Sequence, residues 1–151
     1  MGLAAKFDMN TDTFSKGNIS VSYKTNKFTV GSRSIEVTPH EVAIIGRLIH
    51  ICDTIPSGFD VEEMTRSLRY QTEEAFETAF TDLMTKLGSF NIANDGGTGT
   101  IYYESAVTGA DLFKVKDGKY SFNKDLAMLI GDNPELSEEQ LKSVGFKPAV
   151  S

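Results

Sequence analysis

His50 and Cys52 are the one close pair of soft-metal ligands in the chain. Positions two apart on a helix point in different directions. With one Cys and two His in all, the chain cannot by itself assemble a four-ligand zinc site. Nucleophilic catalysis would need Cys52 or a serine activated by a positioned histidine. Cys52 instead continues the apolar stripe Val42, Ile45, Leu48, Ile49 and reads as an inert core thiol. Glu62-Glu63 and Glu73-Glu74 suggest general acid–base work, which needs two carboxylates converging on one cleft in different environments. Each pair falls in the first turn of an expected helix, where the helix dipole favours negative charge by about 0.3–1 kcal/mol per group. Gly96-Gly97-Thr98-Gly99 resembles a phosphate cradle but lacks the Lys-Ser/Thr and helix that should follow. No enzyme motif remains, and neither metal, cofactor nor small-molecule substrate is expected.

The remaining chemistry is that of binding. Between Thr72 and Leu87, apolar residues at Phe76, Ala79, Phe80, Leu83, Met84 and Leu87 paint one face of a helix. At 100° per residue the outward side chains are Glu74, Glu77, Thr78, Thr81, Asp82 and Thr85, which include three acids and no base. Lys86 sits on the flank, an i, i+4 neighbour of Asp82. Such a face would be repelled by a DNA groove and attracted to a basic protein surface. The candidate nucleic-acid contacts lie elsewhere: Arg66 and Arg69 on the preceding helix, Lys86, and Lys114, Lys116, Lys119 and Lys124 among Phe113, Tyr120 and Phe122. Basic residues interleaved with aromatics can bind single strands or phosphates, although simple alternation would also put lysines on the wet face of any hairpin.

These residues need elements to hold them. At 151 residues, 40% hydrophobic and 24% charged, the chain has the composition of a globular domain with appendages. No apolar run is long enough to span a membrane and no secretory pattern opens the chain, so a soluble, cytoplasmic protein is expected. The net charge of −6 is uneven: residues 1–52 carry six bases and four acids, 53–105 three and ten, and 106–151 six and seven. The acidic segment is the one holding the candidate interaction helix.

Residues 1–18 show no period and read as an irregular arm anchored by Leu3, Phe7 and Phe14. Alternation at Ile19, Val21 and Tyr23, then Phe28 and Val30, then Ile35 and Val37, predicts a three-stranded meander. Thr38-Pro39-His40-Glu41 opens a helix that should end near Asp53, ahead of Pro56-Ser57-Gly58. Asp60 with Glu63 opens a second helix, and Thr72 caps the third, with Gly88 as a left-handed stop. Phe90–Ala93 and Thr100–Tyr103 then read as a two-stranded ribbon around Asn94–Gly99. Leu112–Phe122 reads as another hairpin turning at Asp117-Gly118, followed by short helices from Asn123 or Lys124 and from Ser137.

The order strands, helix, helix, helix, hairpin over residues 19–105 is that of a winged helix-turn-helix. VTPHEVAIIGRLIH, FDVEEMTRSLR and TEEAFETAFTDLMTKLGSF resemble the winged-helix modules of bacterial and phage regulators and replication organisers. The leading meander is similar to the output domains of response regulators. The expected fold is α+β: an arm (1–18), a winged-helix domain with its meander (19–105), and a small hairpin-plus-helix extension packed on it (106–151). The expected function is a non-enzymatic adaptor acting by protein–protein contact, through the acidic helix face, in a transcription or replication assembly. Two rivals stand beside it. One is a DNA-binding regulator using the candidate cations, and the other is a structural protein built on the same core.

Overall fold

A computed structural model of the chain describes residues 5–17, 19–31, 33–90 and 108–127. Strands Lys6–Asp8 (β1), Thr13–Lys16 (β2), Ile19–Ser22 (β3), Lys27–Val30 (β4) and Arg33–Glu36 (β5) form an antiparallel sheet in chain order. Helix Pro39–Ile51 (α1), a short strand Phe59–Asp60 (β6), and helices Val61–Ser67 (α2) and Glu73–Leu87 (α3) follow. After a 3-10 turn at Gly109–Leu112 come the hairpin strands Phe113–Lys116 (β7) and Lys119–Phe122 (β8), then Lys124–Ala127 (α4). The second sheet has the order β6–β8–β7 and is antiparallel throughout. The fold is mixed α+β.

The helix starts follow from local chemistry. Thr38 Oγ1 accepts from the Glu41 amide at 3.2 Å while the Glu41 carboxylate accepts from the Thr38 amide at 2.8 Å, a closed capping box. Asp60 and Glu63 repeat the arrangement at α2. Thr72 caps α3 by accepting from the Ala75 amide at 3.0 Å.

Helix α1 is the centre of the molecule. It contacts β2 and β3 of the first sheet as well as α3 and β8, so Val42, Ile44, Ile45, Leu48, Ile49 and Ile51 are all buried. A helix apolar around most of its circumference must be covered on more than one side. The first sheet approaches closely at Gly46, where a Cβ would stand 2.5 Å from the Phe14 ring. On the far side of the core, Phe28 of β4 lies 6.0 Å from Phe113 and 6.1 Å from Phe90. Residues 113–122 therefore share one core with the preceding helices and strands rather than resting on it.

Three expectations change. The arm read as irregular forms β1 and β2, extending the meander to five strands. The free edge of β3 supplies backbone partners that no local period announces, and Phe7 is held at 4.5 Å by Phe14 across the register. Gly88 is not left-handed but αR, with φ −64°. The chain keeps turning there, and the Phe90 amide donates to the Leu87 carbonyl at 3.0 Å, placing the Phe90 ring in the core. The strand β6 was not expected at all. It exists because Gly58 and Phe59 lie along β8. The expected ribbon beyond Phe90 and the helix from Ser137 lie outside the described residues.

Candidate functional site

The outward face expected of α3 is outward. Glu74, Glu77, Thr78, Thr81, Asp82 and Thr85 are all exposed, while Phe76, Phe80, Leu83 and Leu87 are buried. The last of these pack inward, and the rings of Phe76 and Phe80 meet Tyr120 of β8 edge-on at 5.0 and 4.8 Å. The one cation on α3, Lys86, does not join this face. Its ammonium is hydrogen-bonded to the Glu41 carboxylate of α1. Burial pushes the Glu41 carboxyl up, but hydrogen bonds from Lys86 and from the Thr38 amide outweigh it and hold the group below its ordinary value.

The candidate nucleic-acid contacts do not converge as a set. Arg66 pairs with Glu62 at 3.6 Å across one helical turn, both about seven-tenths exposed (72% and 71%). Arg69 is exposed and sits at φ +61°, directly after the α2 cap residue Leu68. The amide of Tyr70 donates to the Thr65 carbonyl at 2.9 Å and that of Arg69 to the Arg66 carbonyl at 3.2 Å. This is a Schellman closure with arginine where glycine is usual. Lys124 opens α4, within electrostatic reach of Asp53 and Cys52.

Lys114, Lys116 and Lys119, by contrast, come together. The register sets Lys114 opposite Ser121 and Lys116 opposite Lys119, so these four side chains share one face of the hairpin. Asp117 and Gly118 both take positive φ, 54° and 75°, as a tight two-residue hairpin turn requires. Phe113, Tyr120 and Phe122 occupy the other face and are buried. The aromatic interleaving seen in sequence therefore offers no stacking platform beside the lysines. Instead, Pro56 and Ser57 close one side of a groove of about 430 Å³ lined also by Lys114, Lys116, Asp117, Lys119 and Ser121. Gly58 makes this approach possible. At φ +87°, a Cβ there would lie 2.0 Å from the Tyr120 carbonyl oxygen. Ser57 carried no local signal in the sequence, because a two-residue strand places it beside lysines some sixty positions away, whereas Ser121 joins them through the hairpin's own register.

The residues weighed for catalysis take structural positions. Cys52 is buried, and burial with the neighbouring Asp53 carboxylate pushes its thiol up to about 11, so the nucleophilic thiolate is disfavoured. His50 is exposed at the end of α1 with its ring 6.0 Å from Phe14. Glu63 closes its capping box, Glu62 pairs with Arg66, and Glu73 and Glu74 are exposed in the first turn of α3. Among the described residues, no three His, Cys, Asp or Glu side chains are grouped to hold a metal ion, and no helix is long and apolar enough to cross a membrane.

Comparison with known proteins returns no matching family model, no matching curated relative and no matching solved structure.

Proposed function

We propose that this protein is a non-enzymatic adaptor with a winged-helix core, acting by protein–protein contact through the exposed face of α3. The winged-helix reading is supported by the order α1–β6–α2–α3–β7–β8 together with a second sheet ordered β6–β8–β7. The hairpin in the wing position is then Phe113–Phe122, and the five-stranded meander packed on α1 takes the place of the leading sheet of response-regulator output domains. A transcription or replication assembly is the setting this resemblance implies.

The observation that carries the functional reading is electrostatic. Glu74, Glu77 and Asp82 stand exposed on α3, and its single lysine is committed to Glu41. Duplex DNA carries about one negative charge per 1.7 Å of axis, so this face would be repelled from a groove. A basic protein surface would be steered towards it.

The test is a pair of anisotropy titrations at about 50 mM salt, where phosphate-driven binding is strongest. One uses labelled duplex DNA and the other a labelled arginine-rich peptide. The peptide should bind the wild type and lose binding in the E74K/E77K/D82K variant. An equal charge reversal at Asp8, Asp12 and Glu36 on the first sheet should leave it bound. Peptide binding indifferent to the α3 substitutions, or duplex binding abolished by them, would sink the reading.

A further inference from the structure

The lysine groove on the hairpin faces away from α3. Tyr120, on the opposite face of β8, is the residue that meets Phe76 and Phe80, so Lys114, Lys116, Lys119 and Ser121 point to the reverse side of the second sheet. The acidic face and the lysine groove are therefore separate surfaces.

Lys116 and Lys119 are directly opposed across the hairpin, an arrangement in which like charges destabilise a strand pair. Lys114 adds a third positive charge two residues along the same face, about 7 Å away. Among the described residues, none of the three ammonium groups makes a side-chain hydrogen bond or an ion pair. Asp60 is opposite Lys119 in the neighbouring register, but its carboxylate already accepts from the Glu63 amide at 2.8 Å. Asp117 is the one carboxylate lining the groove. The fold gives no internal reason for the concentration of charge.

We propose that this groove is a binding site for a phosphate group, held by the ammonium groups of Lys114, Lys116 and Lys119 with hydroxyl donors from Ser57 and Ser121. A multiply charged oxyanion matches a cluster of positive charge that a single carboxylate would leave largely uncompensated. The hydroxyls supply donors that an anion accepts. With the hairpin aromatics buried on the other face, recognition runs through the phosphate and not through a stacked base. The phosphate comes either from a small polyphosphate or from the backbone of a nucleic-acid strand.

Two probes separate these sources: inorganic tripolyphosphate, followed by amide chemical shifts, and a labelled single-stranded oligonucleotide, followed by anisotropy. Binding of either should weaken at least tenfold in the K114Q/K116Q/K119Q variant, whose altered side chains are all exposed. It should be kept in K6Q/K24Q/K27Q, which loses the same charge on the first sheet. Tripolyphosphate should move the amides of Ser57, Lys114, Lys119 and Ser121. If the oligonucleotide binds, three neutralised phosphates on a single strand imply that its affinity falls about 20-fold between about 50 and 200 mM salt. Binding of tripolyphosphate alone assigns a small polyphosphate, and binding of the oligonucleotide assigns the strand backbone. Failure of both probes at about 50 mM salt overturns the proposal, as does equal loss in the two variants. Neither result bears on the peptide binding of α3.

Discussion

Arg69 shows how a single backbone angle separates two roles a residue could have. The sequence marks it as a cation available to phosphate, and it is exposed. Its φ of +61° also makes it the residue that lets α2 close and α3 begin. A non-glycine residue in the left-handed region costs roughly 1–2 kcal/mol, part of which glycine gives back through its larger unfolded-state entropy. R69G is therefore expected to raise the unfolding free energy by about 0.5–1 kcal/mol, read as a shift of the urea midpoint. A midpoint that falls would mean that the arginine side chain contributes more than its backbone costs. Cys52 shows the converse. Its type suggests reactivity, but its place among Ile49, Ile51 and the Asp53 carboxylate removes the thiolate.

At the scale of elements, the short strand β6 has consequences out of proportion to its two residues. It brings the Pro56–Gly58 loop onto β8 and so joins Ser57 to the hairpin lysines. Gly58 is the pivot, because both its φ of +87° and the 2.0 Å clash of a Cβ with the Tyr120 carbonyl exclude a side chain. G58A is expected to cost about 2–4 kcal/mol, combining backbone strain with displacement of β8. G118A is the control: φ is +75° there too, but nothing lies within 4 Å of the added carbon, so only strain of about 1 kcal/mol applies. Urea unfolding of the two variants checks this, and equal losses would show that the close approach at Gly58 is relieved cheaply.

At the scale of the molecule, the Lys86–Glu41 pair ties α3 to α1 across the core. The Glu41 carboxyl titrates below its ordinary value of 4.5 in the folded chain. It thus holds a proton less tightly folded than unfolded, and unfolding takes up a proton once the pH drops below the unfolded value. Its stabilisation is complete above that value and is lost as pH falls through the folded one. K86M removes the hydrogen bond and the charge that lower it. The variant should be less stable at neutral pH by about 1 kcal/mol, a modest figure because the pair is partly solvated. The difference from wild type should shrink as the pH is taken below that ordinary value and through the lowered folded one. A difference constant with pH would assign the loss to packing of the lysine stem instead.

Sequence alone determined the features set by neighbours along the chain: the capping boxes at Thr38 and Asp60, the buried stripe of α3 with its acidic outward face, and the Asp117-Gly118 turn. Each depends on residues within about one or two turns of each other, where spacing and side-chain type suffice. Tertiary structure alone decided that residues 6–8 and 13–16 are strands and that β6 exists, because a short strand without a period forms only where another strand offers an edge. It also decided which charges remain available. Lys86 is withdrawn by a carboxylate 45 residues away, and the hairpin aromatics are turned into the core by the pleat. Lys114, Lys116 and Lys119 are thereby left with two serines in one groove, a grouping no run along the chain contains.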